Sequence, residues 1–168
     1  AGQTEAKVSI KLFSQKVDLS KQTMLALRIV DAGDQTVASN FRKMVFPIAV
    51  KNIYDGTYEV TGTMVDAASA ALTGKFPMKY NLVTLGPSTV EGNDLESGFI
   101  PSGRGVWIKS GAADSYYGSF SPVFEFDPAT NKVTKVTNYF GQPAGNTRSA
   151  ELDPSGVNKY DPATKTLE

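Results

Sequence analysis

The chain contains no cysteine and no histidine. The first absence removes thiol nucleophiles, disulfide frameworks and thiolate metal sites together. The second restricts more, because imidazole is the usual general base near neutral pH and the commonest ligand of zinc, copper and iron. Serine–histidine triads, histidine zinc sites and two-histidine iron sites are therefore excluded. A surplus of charge is lacking as well: 17 basic residues face 17 acidic ones, for a formal net charge of zero. Phosphate neutralisation needs a concentrated basic face, so neither nucleic acid nor an anionic membrane surface is an expected partner. No apolar run approaches the roughly 20 residues of a membrane-spanning helix. The opening Ala1-Gly2-Gln3-Thr4-Glu5 lacks the basic and then apolar regions of a signal peptide. Either the protein is cytosolic or its export signal lies outside this sequence. The closing Leu167-Glu168 is native or the residue of a common cloning junction, and it carries no weight in the fold expected below.

What is present is enough for a core: 168 residues, 40% hydrophobic and 10% aromatic, which suit one domain or one domain and part of another. The dominant hydrophobic period is two. Val8, Ile10 and Leu12 alternate with Ser9, Lys11 and Phe13, and Leu25, Leu27 and Ile29 with Met24, Ala26 and Arg28. Met44, Phe46 and Ile48 continue the pattern, as do Tyr58, Val60 and Met64, then Met78, Tyr80 and Leu82, then Phe124 and Phe126, then Val133 to Tyr139. One buried and one wetter face per run predicts antiparallel strands. Asp31-Ala32-Gly33-Asp34, Asp55-Gly56, Gly86-Pro87-Ser88, Glu91-Gly92-Asn93-Asp94 and Ser102-Gly103-Arg104-Gly105 carry turn chemistry. Residues 65–72 are Ala-rich, but eight residues make a marginal helix, so a loop or single turn is expected there.

One tetrapeptide occurs twice. Asp127-Pro128-Ala129-Thr130 follows Phe126, and Asp161-Pro162-Ala163-Thr164 follows Tyr160. In each, the carboxylate can accept the N–H two residues on, and proline presets φ for the first corner of a type I turn. The spacing does not fit a calcium loop of alternating oxygen ligands closed by Glu, so hairpin corners are expected and not metal ligands or catalytic acids. A glycosidase would need a carboxylate pair. Asp94, Glu96, Asp114, Glu125, Glu151 and Asp153 are available, but none sits in a signature. No serine lies in a Gly-x-Ser-x-Gly elbow, and Gly103-Arg104-Gly105 is too short for a phosphate loop. Neither an enzyme nor a cofactor is expected.

Two regions remain as binding candidates. Residues 97–117 are rich in Gly, Ser and aromatics, including Trp107, Tyr116 and Tyr117. Flat apolar faces with polar tips suit stacking on sugars or planar ligands, although Trp107 between Val106 and Ile108 also fits a core strand. Adjacent Tyr116 and Tyr117 must face opposite ways in a strand. The polar loop at 141–151 follows Tyr139 and offers Asn146 and Arg148 as hydrogen-bond donors to a glycan; it is otherwise a solvated loop in which Arg148 pairs with Glu151. The expected ligand-binding residues are thus Trp107, Tyr116, Tyr117, Tyr139, Asn146 and Arg148.

The segments Ile53-Tyr54-Asp55-Gly56-Thr57-Tyr58-Glu59-Val60-Thr61-Gly62, Ser115-Tyr116-Tyr117-Gly118-Ser119-Phe120-Ser121-Pro122-Val123-Phe124, Asn138-Tyr139-Phe140-Gly141-Gln142-Pro143 and Ala150-Glu151-Leu152-Asp153-Pro154-Ser155-Gly156 together resemble a C-terminal domain of unknown function in surface or periplasmic lipoproteins of Bacteroidetes. The resemblance covers residues 51–166. It implies an all-β chain: an antiparallel lipocalin-like barrel or sandwich over residues 51–168, preceded over residues 1–50 by the closing strands of an immunoglobulin-like (Ig-like) module. It also implies a place in the cell envelope, reached through a lipid anchor outside this sequence, among systems that capture complex glycans. No catalytic residue carries over. The functions expected are a glycan-binding module, a structural module positioning a partner lipoprotein, or a small barrel holding an apolar ligand.

Overall fold

A computed structural model describes residues 7–18, 21–141 and 148–168. The fold is all-β, every strand pair is antiparallel, and no α-helix occurs among the described residues. Contacts divide the chain into two units, Ala1–Val50 and Lys51–Glu168.

The first unit is a strand pair. β1 (Thr23–Arg28) runs antiparallel to β2 (Lys43–Ile48), from Thr23 opposite Ile48 to Arg28 opposite Lys43. Leu25 and Leu27 are half-buried and alternate with exposed Met24, Ala26 and Arg28, as the period of two requires. Val8, Ile10 and Leu12, expected in a strand, are not: residues 7–13 have no regular structure and these three side chains are exposed. Alternation shows which face a strand would bury. The strand itself forms only where a neighbour completes its hydrogen-bond ladder, and none pairs with this run among the described residues.

The second unit holds β3 (Gly56–Val60), β4 (Leu72–Gly74), β5 (Met78–Gly86), β6 (Thr89–Asn93), β7 (Val106–Ser110), β8 (Ala113–Tyr117), β9 (Pro122–Asp127), β10 (Lys132–Asn138), β11 (Tyr160–Asp161) and β12 (Thr166–Leu167). Five of them form a sheet in the order β10-β9-β6-β5-β3, three form β4-β7-β8, and β11 pairs with β12. Of the barrel or sandwich expected from the resemblance, a closed barrel is not formed. After β3 the chain leaves the large sheet as β4 to join β7, so β3 and β10 remain opposite edges. Residues 66–71 form a loop, in which the Asp66 carboxylate accepts the N–H groups of Ala68 and Ser69 at 2.9 and 2.8 Å.

One face of the large sheet carries the core, in which Leu82, Val90, Phe126 and Val133 are buried with Tyr54 and Tyr160. Tyr54 stacks on Phe126 with ring centroids 3.8 Å apart and 8° between planes, and meets Tyr160 edge-on at 5.2 Å. Its hydroxyl donates to Asn131 Oδ1 at 3.0 Å and its carbonyl accepts from the Tyr58 hydroxyl at 2.8 Å. Burial pushes the phenols of Tyr54 and Tyr58 above their ordinary value. Gly92 in β6 makes room for the buried Tyr80 ring, because any Cβ there would overlap it and lie 3.0 Å from Pro122 Cγ.

Both Asp-Pro-Ala-Thr segments turn hairpins, β9–β10 and β11–β12. Asp127 accepts the Ala129 N–H at 2.9 Å and the Thr130 hydroxyl at 2.7 Å; Asp161 accepts the Ala163 N–H at 2.8 Å. Asn131 and Lys165 then take positive φ, 58° and 57°, which carries each chain into its return strand. Residues 158–160 are paired on both sides. Val133 N–H donates to Asn158 O at 2.8 Å and Tyr160 N–H to Asn131 O at 2.9 Å, while Lys159 exchanges two backbone bonds with Glu168. Leu167, set aside in the sequence reading, packs against the core.

The turn aspartates make stability acid-sensitive. The Thr130 hydroxyl and Ala129 amide hold Asp127 below the usual carboxylate range, the Ala163 amide and Thr164 hydroxyl do so for Asp161, and the Ser155 side chain and amide for Asp153. The unfolded chain, with carboxyls near about 3.9, then takes up protons first as pH falls. This stabilisation is complete above the unfolded value and is lost as pH drops through the lowered folded values. Denaturant midpoints are expected to fall between about pH 5 and about pH 2, and Asp127→Asn should reduce the slope. A flat profile across that window would contradict these turns.

Candidate functional site

β6 interrupts the period of two, since Val90, Glu91, Gly92 and Asn93 are all buried. Glu91-Gly92-Asn93-Asp94, expected as a turn, is therefore mostly strand; the reversal occurs at the preceding Gly86-Pro87-Ser88. Val90 faces the apolar core and Glu91, by alternation, faces the other way. Glu91 is 1% exposed. Arg104 meets it in a bidentate pair, Nε donating to Oε1 at 2.6 Å and Nη2 to Oε2 at 3.1 Å. The Ser121 hydroxyl lies 3.1 Å from Oε1 and also reaches Gly92 O. The Arg104 guanidinium in turn covers the Tyr139 ring at 4.1 Å.

This pair closes the segment 94–105 between β6 and β7. Asp94, also buried, accepts the Ser97 N–H at 3.0 Å and the Ser97 hydroxyl at 2.6 Å. Leu95 N–H donates to Asn81 Oδ1 at 3.1 Å. Asp94 N–H donates to Gly103 O at 2.7 Å, and the φ of +70° at Gly103 is what lets the chain double back there. The segment thereby brings Phe99 to Trp107, with ring centroids 6.0 Å apart and planes within 17°.

Trp107 lies on the β7–β8 hairpin, whose two-residue loop Gly111-Ala112 has positive φ at Gly111. The register sets Trp107 opposite Tyr116 and Lys109 opposite Asp114, all on one face of the β4-β7-β8 sheet. Thr73 of β4 pairs with Lys109, and two residues on Lys75 places its ammonium 3.3 Å from the Trp107 ring centroid. Lys75 and Lys109 both reach Asp114 Oδ1, at 2.9 and 2.7 Å, and hold that carboxyl below its ordinary range, Lys109 more than Lys75. Tyr116, 46% exposed, meets Phe99 edge-on at 6.3 Å. The Trp107 indole N–H is buried and has no acceptor among the described residues.

The five described residues among those expected to bind do not form one patch. Trp107 and Tyr116 share the face just described, and the indole is met there by the Phe99 ring and by the Lys75 ammonium. Tyr117 points to the opposite face, where the Arg148 guanidinium stacks on its ring at 4.2 Å and Phe120 meets it edge-on. That side borders an apolar cleft of about 570 Å³ lined by Met64, Phe76, Val106, Ile108 and Phe120. Tyr139 belongs with Arg104 and Phe140. Asn146 lies outside the described residues. Sequence reasoning missed Phe99, Lys75, Lys109 and Asp114 as partners of Trp107. A signal was present: Trp107-x-Lys109 and Asp114-x-Tyr116 are symmetric about the Gly111-Ala112 loop.

Among the described residues no group of three or more acidic side chains could hold a metal, and no helix is long and apolar enough to cross a membrane. No protein-family model matches this chain, and no curated protein or solved structure is significantly similar to it.

Glu91 is buried while Arg104 is about a third exposed, so removing the guanidinium strands a buried carboxylate, at a cost of about 3 kcal/mol. Arg104→Ala should therefore lower the unfolding free energy by about that amount, whereas Glu91→Leu with Arg104→Met should cost less than the single change. Equal losses from the two variants in denaturant titrations would show that no stranded charge is involved.

Proposed function

We propose that residues 51–168 form a non-catalytic extracytoplasmic module that binds a glycan on the outer face of the β7–β8 hairpin. The supporting observation is the aromatic cluster there: Phe99 and Tyr116 half-exposed around a braced Trp107, with Lys75, Lys109 and Asp114 beside them. Aromatic faces beside polar tips take the apolar side of a sugar ring and its hydroxyls together. The acidic side chains nearest to a catalytic use are committed, Glu91 to Arg104, Asp94 to Ser97 and Asp114 to two lysines. In this reading the unit is an open, sandwich-like relative of the lipocalin-type lipoprotein domain, preceded by closing strands of an Ig-like module. It stands in the cell envelope behind a lipid anchor outside this sequence.

Titration of an oligosaccharide panel, followed by Trp107 fluorescence and calorimetry, tests the reading. Binding is expected, and Tyr116→Ala should weaken it about five- to tenfold with little change in melting. A panel that produces neither heat nor an emission change removes its support.

A second reading, an interaction module that positions a partner protein, is favoured by the first unit. Met44 and Phe46 stand exposed on β2, on the face they share with the half-buried Leu25 and Leu27 of β1, an apolar surface of the kind that marks protein contacts. Pull-down from a native envelope should then recover a partner that Phe46→Lys loses. Recovery unaffected by Phe46→Lys, or no recovery, counts against this surface.

A further inference from the structure

The chain as a whole is neutral, but the candidate face is not. Two residues along each strand from the aromatic rung of Trp107 and Tyr116 lies a charged rung, Lys109 opposite Asp114. The rungs are about 7 Å apart, twice the rise per residue. Lys75 joins the two, its ammonium over the indole and 2.9 Å from Asp114 Oδ1. Both lysines thus share one carboxylate oxygen, and no other carboxylate pairs with either among the described residues. Two cations against one anion leave a net charge of +1. Each ammonium has three donors, and one from each goes to Asp114. The two lysine side chains are 29% and 32% exposed and that of Asp114 35%, so the cluster borders solvent. A cationic ligand is disfavoured, since Lys75 already occupies the position a cation would take over the indole.

We propose that the ligand of this face is an acidic saccharide, with its ring on Tyr116 and Phe99 and its carboxylate or sulfate on Lys109 and Lys75. The proposal rests on the glycan reading above and names the class of sugar. One pyranose ring with its exocyclic acid group spans the aromatic and charged rungs. The acid group supplies the second anion that the two lysines lack, and Asp114 holds both ammonium groups in place before it arrives.

The test uses the full chain and three probes: a tetrasaccharide of galacturonic acid, its neutral methyl ester, and inorganic sulfate. Calorimetry and Trp107 fluorescence should show the acidic tetrasaccharide binding about five- to tenfold tighter than the ester. That preference should vanish near about 1 M sodium chloride, where the Debye length is about 3 Å, and in Lys109→Gln, which leaves Lys75 on the indole. Ester bound as tightly as acid, or a preference that survives Lys109→Gln, overturns the acidic assignment while leaving the glycan reading intact. Sulfate alone competing as well as the tetrasaccharide would reduce the site to a free-anion site and overturn the role of the ring. No binding of either saccharide overturns the acidic assignment, and the glycan reading falls with it only if the whole oligosaccharide panel is also silent.

Discussion

A carboxylate buried in a central strand must be met by a cation, and Glu91 is met by Arg104 from a segment that leaves β6 and returns at β7. Much of the second unit follows from that requirement. Residues 94–105 are drawn over the polar face of the large sheet, where Asn81, Asp94 and Ser97 close the remaining hydrogen bonds. The same path carries Phe99 to Trp107, so a polar constraint inside the protein sets the geometry of an aromatic cluster at its surface. Tyr139, under the Arg104 guanidinium, is bound into the same arrangement from the turn that follows β10.

The two faces of the large sheet are thus stabilised by different physics. One is an apolar core centred on the Tyr54–Phe126 stack, where burial dominates. The other is a polar layer, where burial costs and only full hydrogen bonding compensates. Gly92 makes room for the buried Tyr80 ring, while its neighbour Glu91 serves the polar layer.

The hairpin corners and most strands were legible in the sequence, because a period of two and an Asp-Pro turn are local signals. Asp127 and Asp161 accept the amides their spacing predicts. What failed depended on partners far away in the chain. Glu91-Gly92-Asn93-Asp94 has turn composition, and only Arg104, Tyr80 and Ser97 explain why those residues sit buried in or beside a strand. Val8, Ile10 and Leu12 alternate without a neighbour to pair with. The barrel failed for a topological reason, β4 joining the smaller sheet, that no short pattern encodes. Of the candidate site, the aromatic residues were visible, but their division between two faces and the cationic pair beside Trp107 required the register of β7 and β8.

The edge-on contact of Tyr160 with Tyr54 joins residues about a hundred positions apart, at opposite ends of the second unit. The N-terminal ring must therefore wait for the last hairpin to be synthesised before its environment is complete. Until then Phe126 can cover one face of Tyr54, while the edge that Tyr160 fills stays wet. A unit closed by its last hairpin has high contact order and acquires its full cooperativity only once that hairpin has been made.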